Sequence, residues 1–175
     1  MNNPPYIVED IFTDIVGKVG IALDETIYSF YGTREELNVY LKQKNASQND
    51  FNKRYPLIWM LTPINFGATS LPQIYGTIPT LVIVILNGSD KNWTAALRNT
   101  NNYVPVINPI YNEFMNEFTS RPEFLGYKSQ YKFSTQKIPF YNENNLIVPG
   151  EVTDALVIQF SNIKVKNNLN CVMTT

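Results

Sequence analysis

The feature that most constrains the fold is an apolar run over residues 80–87, Thr-Leu-Val-Ile-Val-Ile-Leu-Asn. A short, continuous run rich in β-branched residues predicts a strand that is covered on both faces. A second run of this kind, Leu57 to Leu61, follows Pro56, and we place Trp59 in the core with it. These runs indicate a sheet with helices packed against it.

Three helices are predicted around these strands. Apolar residues recur at helical spacing over residues 6–19, with acidic residues on the other side. Thr33 and Glu36 have the spacing of a capping box at the start of a second helix. Asn108 and Pro109 fit the N-cap and first position of a third.

Further strand patterns occupy three other segments, so that helices and strands interleave early in the chain and strands cluster late. We therefore predict a single α+β domain over residues 1–166, followed by a C-terminal tail over residues 167–175. Its mixed, mainly antiparallel β-sheet is flanked by helices that pack mainly on one face. The additional strands are predicted at residues 26–31, 127–133 and 154–166.

Two connections carry the candidate contact residues. The long loop over residues 62–79 contains more large apolar groups than a solvated loop favours, and we expect a neighbouring subunit to cover it. The polar, Asn-rich stretch over residues 90–103 is predicted to be an exposed connection, and its Trp93 either contacts another protein or folds back onto its own domain. The apolar loop residues are Ile64, Phe66, Leu71, Ile74, Tyr75 and Ile78.

The residue inventory excludes several kinds of chemistry. The chain contains no histidine, so Ser-His-Asp and Cys-His catalysis are excluded. Its single cysteine, Cys171, can form neither an intramolecular disulfide nor a cysteine-cluster metal site, and we interpret it as a spectator. Phosphate-binding glycine motifs and the Gly-x-Ser-x-Gly motif are absent as well. We therefore expect no catalytic residues, no cofactor and no metal.

Charged residues give only weak signals. Glu113 and Glu117 stand one helical turn apart, as do Asp10 and Asp14, but solvated helix faces explain both pairs. The basic residues near position 50 are interpreted as a solvated loop rather than a nucleic-acid contact. The net charge of −1 also excludes a dominant basic field, so we expect no sequence-specific nucleic-acid partner. These basic residues are Lys42, Lys44, Lys53 and Arg54.

Targeting and membrane signals are not evident. The first residues, Met-Asn-Asn-Pro-Pro, lack the basic and apolar regions of a signal peptide. The longest apolar stretch, within residues 81–86, is far shorter than the roughly 20 residues that a membrane helix needs. We expect a soluble protein that is made in a cytoplasm and has no membrane partner.

Four segments together carry a resemblance to a known family. In this order along the chain, they resemble the tail-terminator or tail-completion family of tailed bacteriophages, and most of all small neck-ring proteins of phages that infect Bacteroidetes. The resemblance covers nearly the whole chain, but its motifs are patterns rather than catalytic signatures. The segments are Arg54-Tyr-Pro-Leu-Ile-Trp-Met-Leu61, residues 80–87, Val106-Ile-Asn-Pro-Ile-Tyr-Asn-Glu-Phe114 and Asp154-Ala-Leu-Val-Ile-Gln-Phe-Ser-Asn-Ile-Lys-Val165.

The resemblance implies a tail-terminator-like fold and a non-enzymatic role in the virion. Such proteins assemble in the host cytoplasm into a homo-oligomeric ring at the neck or the head-proximal end of the tail. The ring connects portal-side, head-completion proteins to tail proteins. The family has no catalytic residues to assign here, and the long apolar loop over residues 62–79 departs from it, which leaves the layer of the neck open.

Physical arguments favour a ring, and two other functions stay open. A charge near zero suits packed subunits, Tyr and Trp anchor interfaces, and head-to-tail contacts that close by rotation form rings. The first alternative is a small non-catalytic binding module with an aromatic-lined ligand pocket. The second is a hydrolase that uses carboxylates and a metal.

Overall fold

The computed structural model describes residues 8–46, 53–64, 75–125, 132–139 and 152–166. Its helices are α1 (Val8–Leu23), α2 (Arg34–Ala46), the short α3 (Ala95–Arg98), a π-helix (Asn99–Ile107) and α4 (Asn108–Ser120). Its strands are β1 (Tyr28–Gly32), β2 (Leu57–Leu61), β3 (Tyr75–Ser89), β4 (Phe124–Leu125), β5 (Lys132–Ile138) and β6 (Val152–Lys166).

The six strands form one sheet in the order β1-β2-β3-β6, and both β4 and β5 pair with the far side of β6. β1 runs parallel to β2, and every other pairing is antiparallel. This arrangement confirms the predicted α+β class with a mixed, mainly antiparallel sheet. The described part of the sheet therefore begins at β1 and finishes at β5 and β4.

The two long strands β3 and β6 form the centre of the sheet, and the apolar run over residues 80–87 lies in β3. β3 and β6 pair from Tyr75 against Lys166 to Ser89 against Val152. The buried apolar side chains form a larger and a smaller core cluster, one on each face of the sheet. β3 is covered on both faces, as predicted, because its successive side chains enter these two clusters in turn. Ile83 and Ile85 belong to the larger cluster, and Val84 and Leu86 to the smaller one.

The larger cluster lies between one face of the sheet and the helices α1 and α4, with the π-helix beside them. Phe118 of α4 is its aromatic hub, because its ring centroid lies 4.5 Å from that of Phe124 and 4.4 Å from that of Phe160. The apolar stripe predicted for α1 is buried here. This layer contains most of the buried apolar residues that the structure describes.

Among the helices that the structure describes, α2 covers the opposite face. Leu37 and Leu41 pack there against Leu57 and Trp59, and all four are fully buried. The Trp59 indole N–H donates a hydrogen bond of 2.9 Å to the Gly32 carbonyl, so the predicted core position is confirmed and the ring also fixes the end of β1.

The predicted capping box at the start of α2 is also present. The Thr33 amide donates to the Glu36 carboxylate at 2.7 Å, and the Glu36 amide donates to the Thr33 hydroxyl at 3.2 Å. These two bonds satisfy amides that the first turn of a helix leaves free. The helix therefore begins directly after β1 and folds back over the sheet.

The connection expected over residues 90–103 is helical from Ala95 onward, and three of its side chains are buried. α3 and the π-helix run without a break into α4, and Arg98, Asn102 and Tyr103 are buried. Consequently Asn108 is not an N-cap: its backbone is helical, and its amide donates to the Tyr103 carbonyl five residues earlier. Pro105 and Pro109 supply no amide donors in this stretch, where the wider π-type bonding replaces the α-type ladder.

The predicted long loop is shorter than expected, because β3 already begins at Tyr75. Pro79 interrupts the pairing of β3 with β6, since Ile78 pairs with Ile163 and Thr80 with Ser161 while the register gives Pro79 no partner. A proline has no amide to donate to a ladder, and the strand continues on both sides of this gap. The strand predicted over residues 127–133 lies mostly outside the described residues, and its last two residues begin β5.

Candidate functional site

The exposed apolar side chains of the described residues lie in two groups. Ile21, Tyr31 and Val39 surround the outer edge of β1, because each lines a hollow formed with β1 or the residue just before it. The second group consists of Phe133 on β5, Leu97 in α3 and Val104 in the π-helix. β5 contacts the π-helix through a hydrogen bond from Lys137 to Asn99. The exposed fractions of both groups range from 43% for Phe133 to 82% for Ile21, so apolar surface lies at both edges of the sheet formed by the described strands.

The outer edge of β1 presents backbone groups that no strand of the described residues pairs with. The Tyr28 amide donates to the Pro56 carbonyl, and the Gly32 carbonyl accepts from the Thr62 amide, so these alternate positions face β2. The amides and carbonyls of Ser29 and Tyr31 therefore point away from β2, toward an edge where the described chain places no further strand. An exposed edge of this kind is a template for pairing with another strand.

A groove runs between this edge and α2, and we call it the β1–α2 groove. Its volume is about 460 Å³. Phe30 and Tyr40 form its floor with ring centroids 4.9 Å apart, and Val39 adds an exposed apolar wall. The remaining lining residues are Tyr31, Glu35, Glu36 and Gln43, so the groove has an aromatic base and an acidic rim.

The segment around β1 is acidic overall. Residues 24–36 contain four acidic residues and one basic residue, which gives a net charge of −3. Asp24 and Glu25 close the end of α1, where their amides donate to the carbonyls of Ile21 and Gly20. Gly20 is required there, since a Cβ atom would lie 2.9 Å from the Glu25 carbonyl oxygen. Asp24 has a positive φ of 52°, a conformation that Asp tolerates better than most residues.

The opposite edge, at β5, is basic. The strand Lys-Phe-Ser-Thr-Gln-Lys-Ile contains two lysines and no acid, and its first six residues are exposed. Phe133 packs its ring 5.8 Å from that of Phe160, which places Phe133, Thr135 and Lys137 on the α1–α4 face of the sheet. Lys137 lies 4.7 Å from the centre of the Tyr103 ring and hydrogen-bonds Asn99 at 3.4 Å.

A buried polar network joins β3, β6 and the π-helix in the centre of the molecule. Asp154 accepts hydrogen bonds from Arg98 at 2.5 Å on one carboxylate oxygen, and from Ser89 at 2.7 Å and Asn102 at 2.9 Å on the other. Arg98 also donates to the Asp90 carbonyl at 2.7 Å. Asp154 is completely buried, so this network is part of the core and does not face an open site.

Tyr103 lies at the edge of this network. Its hydroxyl donates to the Ala155 carbonyl at 3.3 Å. Burial, followed by the negative charge of Asp154, raises the pKa of the phenol to about 12, against the opposing effect of Arg98. The ring therefore stays neutral and anchors the π-helix to β6.

The predicted contact residues are not brought together as one surface. Ile78 is fully buried, and Ile64 is partly buried against the larger cluster, so these two pack onto their own domain. Tyr75 begins β3 opposite Lys166. Trp93 is half-buried, and its amide donates to the Asp90 carbonyl. Phe66, Leu71 and Ile74 lie outside the described residues, as does Cys171.

The charged candidates stay apart. Asp14 forms an ion pair with Arg121 at the end of α4 and lies 3.6 Å from Lys18, while Asn116 contacts Glu113 on the outer side of α4. Arg54 is buried rather than part of a solvated loop. In the portion of the chain that the structure describes, no three acidic or cysteine side chains form a group that could hold a metal ion.

The sequence missed the two sheet edges as sites. A signal was present, because Phe-Tyr in β1 and Lys-Phe in β5 put aromatic residues in strands that also carry polar residues, but strand order cannot be obtained from such patterns.

Comparison with protein-family models, curated proteins and solved structures finds no match for this chain. None of the helices in the described ranges has the length and apolar character needed to span a bilayer.

Proposed function

We propose that this chain is a structural protein that assembles with copies of itself into a ring. From the resemblance of its sequence segments, we propose further that the ring belongs to the neck or tail of a bacteriophage virion. There it connects portal-side, head-completion proteins to the tail, without catalysing a reaction.

The observation that supports self-assembly is the placement of apolar surface at both open edges of one sheet. Exposed apolar groups beside unpaired strand edges favour association, since pairing satisfies the backbone and removes apolar area from water. The two edges differ in sequence and charge, so contact between them is head-to-tail. Head-to-tail contacts that close by rotation form rings.

The test is the assembly state of the purified protein. Light scattering coupled to size-exclusion chromatography is expected to give a mass that is a multiple of 20.1 kDa. Negative-stain images are expected to show rings in top view. A strict monomer at high concentration, also when portal-side and tail proteins are added, contradicts the proposal.

A matched pair of variants connects this test to the exposed edges. Val39→Ser replaces an apolar side chain that is 55% exposed in the β1–α2 groove. Glu117→Gln removes a charge from α4, a helix that forms neither of the two sheet edges, and serves as the control. We expect Val39→Ser to shift the protein toward smaller species while Glu117→Gln assembles like the parent chain.

One observation favours a second function, that of a non-catalytic binding module. The aromatic floor of the β1–α2 groove and its volume of about 460 Å³ would accommodate a small ligand. Native mass spectrometry of the protein purified from its host distinguishes the two functions. A stoichiometric small molecule on a monomer, lost on Tyr40→Ala substitution, favours the binding module over the ring.

A further inference from the structure

We propose that the subunits join by strand pairing, in which the outer edge of β1 in one copy adds antiparallel to β5 of the next copy. This inference rests on the proposed self-assembly and specifies its interface. The sheet of each subunit would then continue into its neighbour around the ring.

Strand directions make this pairing antiparallel. β2 has the same direction as β1, β3 the opposite direction, β6 the direction of β1 again, and β5 the opposite direction. If neighbouring copies are related by rotation about an axis roughly along the strands, directions are preserved between copies. β5 of one copy then lies antiparallel to β1 of the next, which is the commoner and slightly more stable ladder.

In this arrangement, side chains of β1 and β5 on the α1–α4 face can form favourable cross-strand pairs. Tyr31 on β1 is 51% exposed and Phe133 on β5 is 43% exposed. Tyr31 pairs with Met60, which enters the larger cluster, so strand alternation places Tyr31 on the α1–α4 face, and it also borders the β1–α2 groove because it lies on the edge strand. Phe133 lies on the same face, beside Phe160. An antiparallel register that sets Tyr31 opposite Phe133 also sets Ser29 opposite Thr135. It converts two exposed aromatic rings into a cross-strand pair, which is a stabilising combination in sheets.

In the same register, opposite charges of neighbouring copies meet on the α2 face. Lys132 alternates with Phe133 and therefore lies on the α2 face, at the end of β5 that meets the C-terminal end of β1. Glu35 and Glu36 lie at that end of β1, in the first turn of α2. The acidic segment around β1, with its net charge of −3, thus lies along a strand that carries two lysines and no acid. Of these, Lys132 lies on the α2 face and Lys137 on the α1–α4 face.

A proline substitution tests the strand pairing itself. Ser29→Pro removes an amide that points to the outer edge and takes no part in the ladder with β2. We expect the concentration for half-assembly to rise about tenfold or more, because outward ladder bonds are lost or blocked. Ser29→Val keeps the amide and is expected to assemble like the parent chain. Circular dichroism checks that both variants stay folded.

Cross-linking between separately labelled copies tests the partner strand. In a Cys171→Ser background, one protein carries Ser29→Cys and a second carries Thr135→Cys. A short bis-maleimide reagent is expected to link the two proteins when they are mixed, and to link neither with itself. Self-linking of Ser29→Cys copies would instead indicate a two-fold β1–β1 contact and overturn the inference.

Charge reversal gives an independent readout. Glu35→Lys and Lys132→Glu are each expected to weaken assembly several-fold, and their combination in one chain to restore part of it. If rings form with Ser29→Pro and no mixed cross-link appears, strand pairing is wrong but self-assembly stands. If the parent chain is a monomer by light scattering, both the inference and the ring proposal fail.

Discussion

The centre of the sheet and its β1 edge differ in how they satisfy polar groups. In the centre, both carboxylate oxygens of Asp154 are bonded to side chains of the same chain. At the edge, the outward amides of Ser29 and Tyr31 meet no strand of the described chain. The centre therefore maintains the fold of one subunit, while the edge is where we propose that another subunit adds. Substitutions should accordingly affect either stability or assembly.

The largest effect on stability is expected at the centre. Asp154→Ala leaves the buried Arg98 guanidinium without its carboxylate, and removal of one partner of a buried ion pair costs about 3–5 kcal/mol of unfolding free energy. Chemical denaturation monitored by circular dichroism measures this loss. Asp10→Ala, on the exposed side of α1, is the control and should change stability by less than about 0.5 kcal/mol.

A loss below about 1 kcal/mol for Asp154→Ala would show that the network does not form as described. It would also remove the contrast between the centre and the edge. In that case the π-helix would need another anchor.

The second prediction compares a buried and an exposed residue of the same helix, α2. Leu41→Ala opens a cavity under α2, where the side chain is fully buried, and is expected to lower the unfolding free energy by about 2–5 kcal/mol. Val39→Ala changes an exposed side chain two residues away and should alter stability by less than about 0.5 kcal/mol. Denaturation curves at low protein concentration measure both.

Assembly gives the complementary readout for this pair. Val39→Ala is expected to weaken assembly although its subunit keeps its stability, because it removes apolar surface at the β1 edge. If Val39→Ala destabilises the subunit as much as Leu41→Ala does, the β1–α2 groove is part of the core rather than an assembly surface.

How far the sequence predicted these regions depends on the range of the interactions. The strands at residues 57–61 and 80–87 and the capping box of Thr33 and Glu36 follow from neighbours within a few residues, and all were confirmed. The helical segment over residues 95–107, which comprises α3 and the π-helix, was missed because its buried polar groups are stabilised by residues far away in the sequence. Asn102 and Asp154 are 52 positions apart, and Arg98 and Asp154 are 56 apart.

The two edges could not be predicted for a related reason. Whether Ser29 or Phe133 is exposed depends on strand order, which local patterns do not contain. The apolar residues of the long loop illustrate the converse, since Ile78 seemed available for contact but enters its own core. Self-assembly, the virion role and the absence of catalysis stay predictions.

The third prediction concerns pH and Tyr103. The phenol has a pKa of about 12 in the fold and about 10 when unfolded, so its stabilising contribution is fully present below pH 10 and is lost as pH rises toward 12. Tyr103→Phe loses the hydrogen bond to Ala155, which costs about 0.5–1.5 kcal/mol at neutral pH. Thermal unfolding from pH 8 to 12 should show the gap between the two proteins narrowing above pH 10, and a constant gap contradicts this.

The smallest effect is expected at the surface ion pair of Asp14 with Arg121. The hydrogen bond from Arg121 lowers the pKa of the Asp14 carboxyl, so its contribution is present above the unfolded pKa of about 3.9 and is lost as pH falls through the lowered value. Because Asp14 is 55% exposed, Asp14→Asn should cost at most about 1 kcal/mol at pH 7, and less in 1 M salt. Thermal unfolding at pH 7 and pH 2.5 measures this. A larger loss that persists at pH 2.5 would mean that the contact between α1 and α4, like the centre of the sheet, depends on a packed polar group rather than on a solvated charge.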